Sequence, residues 1–132
     1  MVVPLRILLI EDDNGHARLI QELLKEADDF PFVLQRAARL ADGVHLALGA
    51  DWSIVLLDLS LPDGFGRNTF HQLVKAAPKV PVLVLSSNDD RAVAEELMGA
   101  GARGYLVKGK FDGRTLAAAI QQIAGPLSTR QE

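Results

Sequence analysis

Residues 5–13 read LRILLIEDD, an apolar run that stops abruptly at acidic residues. Because both faces of the run are apolar, it is typical of a β-strand covered by helices on both sides, as in a parallel sheet. The carboxyl ends of parallel strands share one edge, and such sheets bind ligands at that edge. We therefore expect polar side chains at these stops to meet at one site. Three more apolar runs stop at a polar residue: 54–57 before Asp58, 82–85 before Ser86 and 105–107 before Lys108.

Longer segments with helical periodicity separate the apolar runs. Apolar helix residues expected to face the core include Leu19, Leu48 and Ala100. Strands that alternate with helices indicate an α/β fold, in which a parallel sheet carries helices on both faces. The predicted strands are 5–10, 32–37, 53–57, 81–85 and 104–107. The first three predicted helices are about 14–27, 40–48 and 70–77, and Asp13 or Asn14 caps the first of them. A fourth helix begins after a cap at Asp89 or Asp90, and a fifth extends from a cap at Asp112 to a stop at Gly125 and Pro126.

The strand order is predicted at the level of the fold. In the flavodoxin-like, doubly wound order 2-1-3-4-5, the ends of strands one, three, four and five are neighbours, and strand two lies at the far edge. Strand two ends at Ala37, Ala38 and Arg39, without an acid or a hydroxyl. The strand that lacks a candidate residue is thus the one that this order places too far away to contribute. We predict a flavodoxin-like, five-stranded parallel sheet in this order.

Composition limits the classes of function. The 132-residue chain has no cysteine, which excludes a disulfide framework and a thiolate metal site. Its formal net charge of -3 argues against nucleic acid or an anionic membrane as a direct partner. The apolar stretch 2–10 contains Pro4 and Arg6 and is too short to cross a bilayer. We expect one domain at residues 1–126, a tail or the start of a linker at 127–132, and a cytoplasmic location.

The acidic residues at the strand ends indicate a cation site. Glu11, Asp12 and Asp58 would repel each other at one point unless a hard cation lay between them. Carboxylate oxygens suit Mg²⁺, with Mn²⁺ as an alternative. Beside that cation Asp58 could attack a phosphorus atom to form an acyl phosphate, while Lys108 balances the phosphoryl oxygens and Ser86 donates a hydrogen bond. A carboxylate is already ionised at neutral pH, so this reaction needs no general base.

Four segments of the chain resemble known motifs and occur in the matching order. The segments are 8–13 (LLIEDD), 55–64 (VLLDLSLPDG), 82–87 (VLVLSS) and 101–108 (GARGYLVK). Together they resemble the receiver domain of bacterial two-component response regulators, and the resemblance extends over about residues 5–123. It implies a CheY-like phosphorelay switch whose output is a change of protein surface, and not an enzyme that turns over a substrate.

By motif, the resemblance implies that Asp58 is the phosphoacceptor. It implies that Mg²⁺ is held by Glu11, Asp12 and Asp58, together with the backbone carbonyl of Ser60. The implied phosphoryl donor is a sensor histidine kinase or a histidine phosphotransfer protein, which would dock near the first helix and the loop after the fifth strand. The implied target is a downstream effector protein or an output domain in the parent chain.

The resemblance also implies that Ser86 is the switch hydroxyl, that Lys108 contacts the phosphoryl group and that the rotamer of Tyr105 tracks activation. The sequence departs from the family pattern directly after Lys108, where Gly109 replaces a proline that often follows a cis bond. A cis bond before a non-proline residue costs about 2.5–4 kcal/mol, so we expect a trans peptide and a reshaped loop. Lys110 makes the face formed by the fourth helix, the fifth strand and the fifth helix more basic than is usual in the family.

Two other classes of function compete with a phosphoryl-accepting switch. A docking module that takes no phosphoryl group would be consistent with the Gly109 loop. A flavin-binding protein is less consistent, because the acids at 11–13 would repel a phosphate. A phosphatase with two aspartates on one strand would need an acid where Ser60 stands. The oligomeric state stays open.

Other polar residues have simpler interpretations. His16, His45 and His71 show no metal-ligand spacing, so we expect them on the surface. Asp63 and Gly64 are expected to form a turn, since both residue types favour turn conformations. None of these residues is predicted to take part in the site.

Overall fold

The computed structural model describes residues 3–27, 30–64 and 66–124, and in these it contains five strands that alternate with five helices. The strand order is β2-β1-β3-β4-β5, and every neighbouring pair is parallel. The predicted flavodoxin-like α/β fold and its strand order are therefore confirmed. The strands are β1 (Leu5–Ile10), β2 (Phe32–Ala37), β3 (Ile54–Asp58), β4 (Val82–Ser86) and β5 (Gly104–Val107). The helices are α1 (Asn14–Glu26), α2 (Leu40–Gly49), α3 (Gly66–Ala76), α4 (Arg91–Gly99) and α5 (Gly113–Ala124).

Helices cover both faces of the sheet, so the core has two layers. Successive strand residues point to opposite faces. Leu8 and Ile10 of β1 therefore pack with α2, α3 and α4, whereas Ile7 and Leu9 pack with α1 and α5. Every residue of β3 and β4 is buried. Burial on both faces explains why these strands are continuous apolar runs and not alternating ones.

The ends of most elements agree with the sequence prediction to within about two residues. β3 and β4 each run one residue further and so include Asp58 and Ser86. The predicted caps are confirmed: Asp13 and Asp90 accept hydrogen bonds from backbone N–H groups in the first turns of α1 and α4. The predicted stop of the last helix at 125–126 lies outside the described residues. No helix in the described part of the chain combines the length and the apolar character needed to span a membrane.

The prediction that three apolar helix residues face the core is wrong. Leu19 on α1 is 54% exposed, and Leu48 in the last turn of α2 is 64% exposed. Ala100 is also exposed and is the C-cap of α4, so it lies beyond the buried face of that helix. Helical spacing locates an apolar stripe, but only the residues nearest the line of contact with the sheet are buried.

Asp63 lies in the predicted turn but also stabilises a distant helix. Its carboxylate accepts hydrogen bonds from the backbone N–H groups of Leu40 (2.7 Å) and Ala41 (3.0 Å), at the start of α2. The N-cap position of α2 is Arg39, whose side chain makes no capping bond. Partial burial raises the pKa of Asp63, but the N–H hydrogen bonds outweigh it and hold the pKa below the ordinary 3.8. A loop thus provides the cap that the local sequence lacks.

Candidate metal and phosphoryl site

The carboxyl-terminal edge of the sheet carries the polar residues that stop the strands. Glu11 follows β1, Asp58 and Ser86 end β3 and β4, and Lys108 follows β5. Glu11, Asp58 and Ser86 are each no more than 3% exposed, while Asp12 is exposed beside them. The structure therefore places all five residues at the edge where the strand stops predicted a site.

The ammonium group of Lys108 joins the acids. Lys108 Nζ donates to Glu11 Oε1 at 2.7 Å and lies 3.3 Å from Asp58 Oδ2. The side chain of Lys108 is only 13% exposed, and those of the two acids are almost completely buried. Charges removed from water interact more strongly than surface charges, but the burial of each one is costly. Lys108 therefore offsets part of the negative charge at the site.

Three carboxylates are close enough to share a cation. Glu11, Asp12 and Asp58 each offer an oxygen atom, and these atoms lie within 4.8 Å of one another. Burial raises the pKa of Glu11, the hydrogen bond from Lys108 lowers it, and Asp58 raises it again, so that the pKa lies above its ordinary 4.5. A divalent cation would relieve the repulsion that the single ammonium leaves. This all-oxygen set fits Mg²⁺.

Backbone N–H groups orient two of the carboxylates. Asp58 Oδ1 accepts a hydrogen bond from Ser60 N at 3.2 Å, and Glu11 Oε2 accepts one from Asp13 N at 3.1 Å. Such bonds hold a side chain over the residues that follow it and limit its rotation. Ser60 itself is exposed at the edge of the site. The role of its carbonyl as a ligand stays a prediction.

Ser86 and Tyr105 are linked through the backbone of Asn88. Asn88 N donates to Ser86 Oγ at 3.0 Å, and the Tyr105 hydroxyl donates to Asn88 O at 2.7 Å. The Tyr105 side chain is half-buried against the core layer that contains α4. One peptide segment of the β4–α4 loop thus connects the hydroxyl at the site with the aromatic ring on β5.

The loop after β5 is built around Gly109. The described residues contain no cis peptide bond, so the trans peptide predicted between Lys108 and Gly109 is confirmed. Gly109 has a φ of 81°, a conformation that glycine adopts at little cost, and Lys110 N donates to Val107 O at 3.1 Å to close the turn. Lys110 Nζ also pairs with Asp89 Oδ2 at 3.0 Å, on the exposed side of the loop. This loop brings Lys108 to the acids.

Arg36 on β2 contacts the site loop, so the prediction that strand two contributes nothing is wrong. Its guanidinium donates to the backbone carbonyls of Glu11 (2.8 Å) and Asp12 (2.9 Å). The sequence analysis looked for a short acid or hydroxyl at the end of β2, whereas the contact is made by a long arginine side chain that extends from β2 to the β1–α1 loop. The sequence offered one signal: Arg36 stands directly before the last residue of an edge strand whose other residues are all uncharged.

His16, which was predicted to lie on the surface without a role, also contacts the site. Its Nδ1 atom lies 3.1 Å from Lys108 Nζ and 3.9 Å from Glu11 Oε2, although the side chain is 49% exposed as predicted. Because an ammonium group only donates, the contact with Lys108 requires an unprotonated Nδ1. The position of His16 in the first turn of α1, five residues after Glu11, would have indicated this proximity.

The fold and the site define a doubly wound α/β domain with a cluster of acids at the carboxyl edge of its parallel sheet. The family described as response regulator receiver domain matches residues 7–121. The chain belongs to this family, and the predicted resemblance is confirmed. Receiver domains are signalling modules of two-component systems and not enzymes of the usual kind.

Several curated proteins are similar in sequence. The chain is 32% identical over 104 residues to the cell cycle transcriptional regulator CtrA of Caulobacter vibrioides, and 34% identical over 104 residues to the probable transcriptional regulatory protein SilR of Salmonella typhimurium. Both alignments cover 79% of this chain and 44% of the relative. The cell cycle response regulator CtrA of Brucella ovis is 34% identical over 119 residues, 90% of this chain and 50% of the relative. The chain thus spans about half the length of these relatives, or less.

Solved structures share the fold at lower sequence identity. A CheY-like receiver domain protein from Methanospirillum hungatei has a TM-score of 0.80 at 20% identity and covers 97% of this chain and 99% of its own. A receiver domain protein from Clostridium thermocellum has a TM-score of 0.78 at 23% identity, with 97% and 99% covered. A response regulator from Burkholderia pseudomallei, solved with a phosphorylated aspartic acid and a calcium ion, has a TM-score of 0.73 at 22% identity, with 96% and 72% covered.

Proposed function

We propose that the chain is the phosphoacceptor receiver domain of a two-component response regulator, and that Asp58 accepts the phosphoryl group. The observation that carries the proposal is the buried Asp58 carboxylate, which lies 3.3 Å from the Lys108 ammonium and beside acids that could share a cation. Cationic groups fixed around a carboxylate can balance the negative charge of an arriving phosphoryl group.

The reaction is a transfer of one phosphoryl group to a carboxylate oxygen. One oxygen atom of Asp58 attacks phosphorus, the bond from phosphorus to the donor breaks, and the donor leaves with the electron pair of that bond. When the donor is a phosphohistidine, the leaving atom is an imidazole nitrogen. Lys108 contacts the transferred phosphoryl oxygens, and the hydroxyl of Ser86 donates a hydrogen bond to one of them.

Glu11, Asp12, Asp58 and the carbonyl of Ser60 are the proposed ligands of Mg²⁺, for which Mn²⁺ could substitute. When bound, the cation supplies positive charge that lets an anionic donor approach the acids. The calcium ion and phosphorylated aspartic acid in the Burkholderia pseudomallei structure support the same pairing of cation and acyl phosphate for this chain. The upward shift in the pKa of Glu11, caused first by burial, supports a site that gains from a cation.

The proposed output is a change of the surface that contains α4, β5 and α5. In the structure Ser86 Oγ accepts from Asn88 N, while Tyr105 donates to Asn88 O. If the Ser86 hydroxyl turns to the phosphoryl group, the backbone of Asn88 loses its hydrogen bond to Ser86 and keeps the one from Tyr105. The rotamer of Tyr105 would then respond, and an effector protein or an output domain in the parent chain would detect the new surface.

The proposed phosphoryl donor is a sensor histidine kinase or a histidine phosphotransfer protein. A cavity of about 400 Å³ lies between α1 and the loop after β5, and Leu19, Leu23, Gly109 and Phe111 are among the residues that line it. Apolar side chains around the approach to Lys108 suit a helix that presents a phosphohistidine. Docking there would also account for the exposed position of Leu19. We place this exchange in the cytoplasm.

Phosphorylation of the purified protein tests the proposal. Acetyl phosphate with Mg²⁺ should add one phosphoryl group by intact mass, and Asp58→Asn should abolish the addition because no carboxylate remains to attack. Asp51→Asn is the matched control, since Asp51 is exposed near the other end of β3, and it should accept the group normally. No addition to the wild type would instead favour a docking module that acts without phosphorylation. An addition that survives Asp58→Asn would overturn the assignment of Asp58 as the acceptor.

A further inference from the structure

Arg36 joins β2 to the loop that carries the acids. Nε donates to Glu11 O at 2.8 Å, Nη2 donates to Asp12 O at 2.9 Å, and Nη1 donates to Asn14 Oδ1 at 2.8 Å. All three nitrogen atoms of the guanidinium are therefore used, and all three acceptors belong to the β1–α1 loop and the first residue of α1. The guanidinium thus binds within residues 11–14 (EDDN), three of which are acidic.

The acceptors of Arg36 are neutral oxygens, namely two backbone carbonyls and one side-chain amide. Among the described residues, no ion pair involves Arg36, and the ammonium that pairs with Glu11 is that of Lys108. A planar guanidinium binds several acceptors in a fixed arrangement, so it fixes the orientation of the groups that it binds. Its geometry, and not simply its charge, is what these contacts use.

The bonds from Arg36 extend the pairing of β1 with β2. The regular register ends at Ile10 opposite Ala37, and Glu11 N donates to Ala37 O at 2.9 Å. The backbone carbonyls of Glu11 and Asp12 come next, and the Arg36 side chain binds both. Two successive peptide planes are thereby held, and these planes set the directions in which the Glu11 and Asp12 side chains leave the backbone.

The loop needs such a restraint because its side chains repel one another. Glu11, Asp12 and Asp58 approach within 4.8 Å, and an unrestrained loop would relax by moving the carboxylates apart. A divalent cation would then have to reassemble its ligands on binding, which lowers affinity. Residues that orient metal ligands without touching the metal are important for affinity, and their removal typically weakens metal binding by about 10- to 100-fold.

We propose that Arg36 is a positioning residue for the metal site: it preorganises the loop that carries Glu11 and Asp12 and so raises the affinity of the protein for Mg²⁺. The inference rests on the metal site of the proposed function and goes beyond it, because it assigns the edge strand a part in cation binding. Arg36 does not touch the cation or the phosphoryl group in this account.

Titration calorimetry with MgCl₂ on the folded, metal-free protein tests this role. Arg36→Ala should weaken Mg²⁺ binding by about 10-fold or more. Arg36→Lys should recover little of the loss, because one ammonium keeps the charge but cannot reach three separated acceptors. Asn14→Ala, which removes one acceptor and leaves Arg36 intact, should cause a smaller loss of a few-fold. Urea unfolding of each variant establishes that it is folded.

Arg6→Ala is the matched control. Arg6 is also a β-strand arginine, but it lies at the opposite end of β1 with its guanidinium over the Trp52 ring, so its loss should leave Mg²⁺ binding unchanged. Wild-type affinity in folded Arg36→Ala would overturn the proposal, and so would wild-type affinity in Arg36→Lys, since charge alone would then suffice. If Arg36→Ala does not fold, Asn14→Ala decides the question by the same measurement.

Phosphoryl transfer is measured separately by intact mass, so the two proposals can fail independently. A wild type that accepts the phosphoryl group while Arg36→Ala keeps its Mg²⁺ affinity would overturn the role of Arg36 alone. A wild type that binds Mg²⁺ in an Arg36-dependent way but takes no phosphoryl group would overturn the proposed function alone.

Discussion

The two ends of the sheet satisfy their polar groups in different ways. At the amino-terminal end, Arg6 stacks 5.0 Å from the centre of the Trp52 ring, Arg6 N donates to Ser53 Oγ, and Trp52 Nε1 donates to Leu46 O. These contacts are exposed or only partly buried, and none of them buries an ionised acid. At the carboxyl-terminal end, the charges of Glu11 and Asp58 are buried with a single ammonium between them.

This difference separates a structural end from a functional one. All the buried polar side chains in the described residues lie towards the carboxyl end: Glu11, Asp58 and Ser86 at the strand ends, and Thr69, which donates to Leu59 O. Burial of unbalanced charge lowers stability, so a fold retains it where a bound group compensates. Among the residues that the structure describes, the amino-terminal end has no such excess of buried charge. The contrast predicts which substitutions are sensitive to a metal ion.

The largest expected effect comes from Lys108→Met, which keeps the bulk of the side chain but removes the ammonium. In metal-free buffer the free energy of unfolding should fall by about 3 kcal/mol, because Glu11 and Asp58 stay buried without a cation. Urea unfolding measures this, and added Mg²⁺ should restore part of the loss. The matched change is Lys110→Ala: its pair with Asp89 is exposed, so its loss should lower the free energy of unfolding far less than Lys108→Met does. Equal losses for the two variants would contradict the contrast.

A smaller effect is expected from Asp63→Ala, which removes the cap of α2. The free energy of unfolding should fall by about 1 kcal/mol at neutral pH. Because the folded-state pKa of Asp63 is lower than its ordinary 3.8, the charge-dependent part of this stability is present well above pH 3.8 and is lost as the pH falls through the folded-state value. Urea unfolding at several pH values should therefore show the gap between wild type and variant narrowing towards acid. A gap that widens would be inconsistent with this cap.

The smallest expected effect is that of Arg6→Ala at the amino-terminal end. Loss of the contact with Trp52 should lower the free energy of unfolding by about 0.5 kcal/mol, as for an exposed cation–π pair. The same loss should appear with and without Mg²⁺ in thermal or urea unfolding. A loss that Mg²⁺ alters would show that the two ends of the sheet are coupled and would remove the distinction between them.

Most of the fold could be predicted because its signals are local. The runs that end at Ile10 and Leu57 are apolar on both faces, and only a strand between two helical layers buries both faces. Helix caps such as Asp13 were equally visible, since a cap lies next to the helix that it serves. The exposure of Leu19 and Leu48 was not predictable in this way, because it depends on which residues of each helix lie nearest its line of contact with the sheet.

The candidate site shows the same division. Asp58 and Lys108 could be assigned to the candidate site because each lies at the end of a strand, and the ends of parallel strands share one edge of the sheet. Arg36 and His16 were missed: their positions in the chain offered a weak signal, but the contacts themselves depend on the reach of a side chain across a neighbouring loop. Asp63 acts on a helix 23 residues earlier in the chain, and no local pattern indicates such a cap.

By itself, the sequence determined the order of strands and helices, the residues that stop each strand and the family to which the chain belongs. These properties depend on periodicity and on short motifs, which neighbouring residues define. Only the tertiary structure decided that Lys108 Nζ lies between Glu11 and Asp58, and that the Arg36 side chain hydrogen-bonds to the loop that carries Glu11. Such contacts join residues far apart in the chain, and the packing of strands and loops against one another sets their distances.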